Sequence, residues 1–236
     1  MIVRCGAVRG AVITHALIAA GAVLFLAGPL SGFVPSYGTG DALLAEQTAY
    51  LREWGVVPDE LFAGGIRTAL TPLTALFVHG NWLHLLGNML FLYVFGAMTE
   101  ERMGRVEFAV FYLVCGYLAM VAYAAANASS DQTLVGASGA ISGVLGAFLC
   151  LFPRARVTSV FPFLFFLPLR LPAWVVLLFW FALQGLAQYR AGSGPGVAYL
   201  AHLVGFTLGF LYAWGRYRRT TTVRRSAAAT EGDSTP

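Results

Sequence analysis

The sequence predicts an all-α membrane protein, a bundle of six spanning helices with a long structured loop on its outer side. Three observations carry this. Of 236 residues, 58% are hydrophobic and only 11% charged, with a mean hydropathy of +0.71, whereas soluble domains carry about 25% charged residues. Six apolar stretches recur along the chain, and a bilayer core demands about 20 residues for each helical crossing. The arginines gather on one side when six crossings are counted.

The spans are expected at roughly 11–31, 79–98, 107–127, 138–152, 172–189 and 197–215. The first follows Arg4 and Arg9 and has the outline of a secretory signal. Its apolar run is too long for one, and five more spans follow it. Residues 1–10 then form an N-terminal tail, 11–217 the six-span domain, and 218–236 a tail expected to be disordered. Loop 32–78 mixes Asp41, Glu46, Glu53, Asp59 and Glu60 with Trp54 and apolar residues. A loop that long has structure or function of its own, here short helices in the membrane interface. Segment 157–169 is apolar but broken by Pro162 and Pro168. It is expected to be re-entrant or interfacial and is not counted as a span.

The fifteen basic residues are all arginine. Arg4, Arg9, Arg102, Arg105, Arg154, Arg156, Arg170, Arg216, Arg218, Arg219, Arg224 and Arg225 fall on one side; Arg52, Arg67 and Arg190 fall on the other. Both termini are therefore expected in the cytoplasm, with the chain in the cell membrane. The net charge of +4 is accounted for by this orientation, and nucleic acid is not expected as a partner. The arginine-only, alanine-rich composition suggests a GC-rich bacterial source. Cys5, Cys115 and Cys150 form no CxxC pair and no metal spacing, so no metal or cofactor is expected.

Polar side chains inside a span are costly and usually line a cavity or a site. Those expected here are His15, His79, His84, Asn88, Ser138, Ser142, Gln184 and His202. Their depths follow from helix direction. His84 and Asn88 lie four residues apart, on one face of the outer half of span 2. His202 lies about 8 Å below the outer end of span 6, at 1.5 Å per residue. Span 4 is short, about 22 Å of helix against a core of about 30 Å. With its inner end set by Pro153 and Arg154, its first turn starts about 8 Å below the outer surface, and that turn holds Ser138.

A serine, an imidazole and hydrogen-bond donors at one depth are the parts for acyl transfer: nucleophile, general base and oxyanion stabilisers. Gly136 and Gly139 flank the serine and allow a sharp turn and close substrate approach. None of the eleven acids lies in a span at the depth of His202, so a Ser–His dyad is expected in place of a triad. The same residues have a plainer reading. Gly139/Gly143 and Gly205/Gly209 are GxxxG pairs of the kind that bring helices together. Both readings fit, since contact between spans 4 and 6 is what would carry Ser138 to His202. His15 lies away from the cluster and is given no role. His79 is expected at the water boundary, holding the external loop by hydrogen bonds. Gln184 and Ser142 are expected as helix–helix contacts. Glu100 and Arg102 are expected to cap or tie helix ends at the inner side of span 2.

These residues resemble the motifs of the rhomboid intramembrane serine proteases, over roughly residues 71–215. His79 with His84-Leu-Leu-Gly-Asn88 resembles HxxxxHxxxN, and Glu100-Glu101-Arg102-Met103-Gly104 resembles ExRxG. Gly136-Ala137-Ser138-Gly139 resembles GxSG, and Ala201-His202 with Gly205 and Gly209 resembles AHxxGxxxG. The resemblance implies a six-helix bundle with a water-filled cavity open to the outside and a mobile fifth span or cap loop. It implies Ser138 as nucleophile and His202 as base, with His84, Asn88 and the Ser138 backbone N–H as oxyanion hole. It implies single-pass transmembrane proteins as substrates, cut near their extracellular end. There is one departure. Some rhomboids stack a tyrosine on the catalytic histidine four residues after the nucleophile, and Ser142 stands there. A Ser142 hydrogen bond or helix packing must then support the histidine.

Two rivals remain. A catalytically silent rhomboid-like protein would bind transmembrane clients without cutting them, and it would not need Ser138, His202, His84 and Asn88 together. A transporter would be expected to show coupling acids or broken helices at midplane; no acid is expected within a span, and no repeat relates the two halves of the sequence.

Overall fold

The computed structural model describes residues 10–161, 167–191 and 198–231. The N-terminal tail with Arg4, Cys5 and Arg9, together with Pro162 and residues 232–236, lies outside them. In chain order the helices are α1 (Val12–Ala27), α2 (Gly40–Trp54), α3 (Pro58–Leu61), α4 (Ile66–Thr74) and α5 (Trp82–Phe91). A π turn over Leu92–Gly96 joins α5 to α6 (Ala97–Met103). Then come α7 (Arg105–Ala126), α8 (Ser138–Leu151), α9 (Ala173–Ala191) and α10 (Tyr199–Glu231).

The helices sit where apolar runs predict them. Trp82–Met103 and Arg105–Ala126, each of 22 residues, are long and apolar enough to cross a bilayer. Val12–Ala27 and Ser138–Leu151 are apolar but shorter. Outward faces are apolar at helical spacing: Leu83, Leu86, Leu90 and Tyr93 are exposed before α6, and Val106, Val110, Val114 and Leu118 along α7. A helix in water presents polar residues on that face; stripes of this kind fit a lipid-facing surface.

The core centres on α8. Every residue from Gly139 to Leu149 is buried, as expected of a helix that is apolar all round. Phe148 packs edge-on against Phe95 of the π turn at 4.9 Å. On the opposite side α10 crosses at backbone contact. A Cβ on Gly205 would meet the Gly139 carbonyl oxygen at 2.1 Å, and one on Gly209 the Gly143 carbonyl at 1.9 Å. Any side chain at these positions would force the two helices apart.

The loop expected on the outer side, 32–78, is helical through α2, α3 and α4, with 3-10 turns at Pro35–Tyr37 and Ala75–Phe77 and one just before it at Pro29–Ser31. It also grips the segment that leads into α8. Val56 and Leu134 exchange backbone hydrogen bonds of 2.9 and 2.7 Å, and the Gly136 N–H donates to the Ala75 carbonyl at 2.8 Å. Glu100 of α6 is 1% exposed and caps α1. It accepts from the Ile13 N–H at 3.0 Å and from the N–H and hydroxyl of Thr14 at 2.8 Å each. An anion is favourable at a helix N-terminus. Arg102 lies over the Tyr217 ring at 4.8 Å.

Two expectations are corrected. The apolar segment after α8 is an antiparallel hairpin, β1 (Arg156–Phe161) with β2 (Leu167–Pro172), so the fold is not purely helical. The β-branched run Val157-Thr158 and Val160 favours strand. Pro168, paired with Val160, is tolerated because both strands of a two-stranded sheet are edges. Secondly, His79 is not at a water boundary: it is 1% exposed, its ring packed edge-on to His84 at 5.4 Å. Neither of its ring nitrogens has a well-formed hydrogen bond among the described residues.

Candidate active site

Ser138 is the first residue of α8. Its position follows from Gly136, whose φ of +116° is accessible to glycine and rarely to other residues. A Cβ on Gly136 would stand 2.6 Å from the imidazole of His84. Glycine here therefore turns the chain and admits His84 beside it. The amide nitrogen of Asn88 lies 3.7 Å from the same point.

From α10, the His202 Nε2 lies 2.8 Å from the Ser138 Oγ. The histidine is 8% exposed. These two residues are brought together by the glycine contact between α8 and α10, for Ser138 adjoins Gly139 and His202 lies one turn before Gly205.

His84 and Asn88 project from α5, which Asn81 caps by accepting from the His84 N–H at 2.9 Å. The Gly80 N–H approaches His84 Nδ1 at 3.4 Å. The Asn88 amide nitrogen is buried without a partner among the described residues. Buried amides are nearly always hydrogen-bonded, so an idle donor beside a serine is an exception that a substrate oxygen would satisfy. Ser138, His202, His84 and Asn88 all line one cavity of about 630 Å³. Free N–H groups at the start of α8 add further donors at its floor. The site can thus hold a carbonyl near a hydroxyl, an acceptor for its proton and donors for a developing oxyanion.

Ser142 lines the same cavity, yet its hydroxyl donates to the Ser138 carbonyl at 2.6 Å. Of the two expected supports for the histidine, a Ser142 hydrogen bond is not seen among the described residues, whereas a packed helix is. The support comes from α9. Gln184 Oε1 stands 2.8 Å from His202 Nδ1, and the Trp180 ring lies 6.1 Å from the imidazole at 32°. Sequence reasoning noted Gln184 as a polar residue in an apolar span and took it for a generic helix contact. Its spacing of four from Trp180, which puts both on one helix face, is the signal that was available.

The rhomboid domain model matches residues 67–219. Among curated proteins, the chain is 33% identical over 156 residues to the mitochondrial rhomboid protein 1 of Saccharomyces cerevisiae, covering 63% of this chain and 42% of that protein. It is 31% identical over 107 residues to RHOMBOID-like protein 5 of Arabidopsis thaliana, covering 45% and 34%. It is 40% identical over 73 residues to the chloroplastic rhomboid-like protein 11 of the same plant, covering 30% and 25%. The chain spans less than half the length of each of these relatives. They come from a plant and a yeast, so the bacterial source suggested by composition finds no support in them.

Proposed function

The chain belongs to the rhomboid family of membrane-embedded proteins, and on that premise we propose that it is an intramembrane serine endopeptidase acting through Ser138 and His202. Rhomboids are generally serine proteases acting on membrane proteins within the bilayer, though some members are inactive. The observation that carries the reading is the 2.8 Å approach of His202 Nε2 to Ser138 Oγ inside the cavity.

In this mechanism His202, neutral at rest, accepts the Ser138 proton as Oγ attacks the scissile carbonyl. The oxyanion takes hydrogen bonds from Asn88, His84 and the Ser138 backbone N–H. Collapse of the tetrahedral intermediate breaks the C–N bond, and His202 returns the proton to the leaving amine. A water then attacks the acyl-enzyme with His202 again as base, releasing the acid product and restoring Ser138. Water must reach the site, which agrees with a cavity at the loop end of the bundle.

We further propose that α1, the α5–α6 stretch, α7, α8, α9 and α10 cross the membrane, with both termini cytoplasmic and the cavity facing outward. The substrates are then single-pass transmembrane proteins, entered at their extracellular end. The test is cleavage of a single-span model substrate in liposomes. Wild type is expected to cut, and Ser138→Ala and His202→Ala are expected not to. A wild type that binds the span but never cuts it, and does not react with a fluorophosphonate at Ser138, would identify a silent client-binding protein instead.

A further inference from the structure

A neutral imidazole carries one N–H and one bare nitrogen, and the partner of the first decides which is which. For Nε2 to receive the Ser138 proton, Nδ1 must hold the hydrogen and needs an acceptor. In an acid triad that acceptor is a carboxylate. Here the Nδ1 partner is the carboxamide oxygen of Gln184 at 2.8 Å. The Trp180 ring, one turn earlier on the same helix, lies 6.1 Å from the imidazole and is tilted by 32° to it, and the Tyr199 ring stands perpendicular to it at 6.4 Å and 89°. Among the described residues Ser142 makes no hydrogen bond to the imidazole; its hydroxyl donates to the Ser138 carbonyl, and the two ring nitrogens face Gln184 and Ser138.

We propose that Gln184 of α9 is the positioning residue of His202: its side-chain oxygen fixes the Nδ1–H tautomer and, with Trp180 beside the ring, aims Nε2 at Ser138. The reaction then has a neutral third member that avoids burying a charge in the bilayer. A carboxamide stabilises the imidazolium less than a carboxylate does, so its loss costs less than the roughly 10⁴-fold seen when an acid triad is forced into the wrong tautomer. This inference rests on the Ser138–His202 reading.

The test uses the full chain in detergent micelles. Gln184→Met keeps length and removes the acceptor; Gln184→Glu keeps an acceptor in place. Rates of fluorophosphonate labelling at Ser138 and of substrate cleavage are measured, together with 15N NMR of the His202 ring. Gln184→Met is expected to lower labelling and kcat together by roughly tenfold or more, with KM nearly unchanged, as for a group that acts only in the transition state. Gln184→Glu is expected to retain most of the activity. Wild type is expected to show the Nδ1–H form of His202, and Gln184→Met a mixture. A wild-type Nε2–H tautomer overturns the proposal without reference to any variant. So does Gln184→Met reacting at the wild-type rate, or Gln184→Glu losing as much as Gln184→Met. Labelling that survives Ser138→Ala overturns the dyad reading and this inference with it; labelling lost in Ser138→Ala but unchanged in Gln184→Met overturns this inference alone.

Discussion

Gly205 lies against the carbonyl of Gly139, so close that a Cβ would stand 2.1 Å from that oxygen. The contact joins the helix that carries His202 to the helix that carries Ser138, and so sets the 2.8 Å between them. Gly205→Ala must push the helices apart. Overpacking of this kind costs about 1–3 kcal/mol, and a displacement of 1 Å in a reacting pair costs about 10²-fold in rate. Gly205→Ala is therefore expected to lower kcat by about two orders of magnitude while leaving a folded, somewhat less stable protein. Gly215→Ala, in the same helix with nothing near its added Cβ, is the control and is expected to be neutral or slightly stabilising. Cleavage by Gly205→Ala at the wild-type rate would mean that the backbone contact does not govern the site.

The turn before the serine offers a second handle. Gly136→Ala meets two obstacles, a positive φ and the His84 imidazole at 2.6 Å. Backbone strain of this kind costs of order 1–3 kcal/mol. The ring of His84 must also move, and with it a donor of the proposed oxyanion hole. Gly136→Ala is expected to cut less than one tenth as fast as wild type at saturating substrate, a loss in the range of a damaged oxyanion site. Near-normal turnover at lowered thermal stability would separate the strain from any role of His84.

Much of this arrangement is legible in the sequence, and what is not has physical causes. The arginine pattern, the short fourth apolar stretch and the glycines around Ser138 place the serine and His202 at a common depth before any coordinates are considered. Glycine pairs such as Gly205/Gly209 can be read because only small residues permit backbone contact. Gln184 escaped because one amide in a long apolar helix reads as a generic helix contact, and only its spacing of four from Trp180 marks the face that meets α10. The hairpin after α8 escaped because a short apolar run with prolines fits a strand or an interfacial segment equally well.

The cap on α1 predicts a stability effect. Glu100 accepts three hydrogen bonds from Ile13 and Thr14 while almost wholly buried. Glu100→Ala leaves those donors without a partner in an apolar setting, and hydrogen bonds to charged groups contribute about 1.5–3 kcal/mol each. A loss of about 3 kcal/mol or more is expected, measured by unfolding in mixed micelles. Glu100→Gln keeps an acceptor oxygen and is expected to lose less. The candidate active site lies at the other end of the bundle, so the folded fraction of either variant is expected to cut at the wild-type rate per molecule. A stable Glu100→Ala protein would show that α1 is held by packing alone.

Asn88 predicts the opposite pattern, function lost without stability. Its amide nitrogen is buried and idle in the resting site. A buried donor without a partner costs about 1–3 kcal/mol, and removing the group removes that cost. Asn88→Ala is therefore expected to unfold at the same temperature as wild type or slightly higher. In the proposed reaction the same donor would face the developing oxyanion, where one such hydrogen bond contributes about 10²–10³-fold to kcat. The loss is expected at the lower end of that range, because His84 and the Ser138 N–H share the charge. KM should change little, since the bond strengthens only as the carbonyl oxygen becomes anionic. Asn88→Asp brings a second negative charge to the oxyanion and is expected to be slower still. Purified variants compared by cleavage rate and thermal unfolding distinguish the two roles: a fall in stability that tracks the fall in rate would make Asn88 a packing residue, while a rate loss at full stability makes it a donor held in reserve for the transition state.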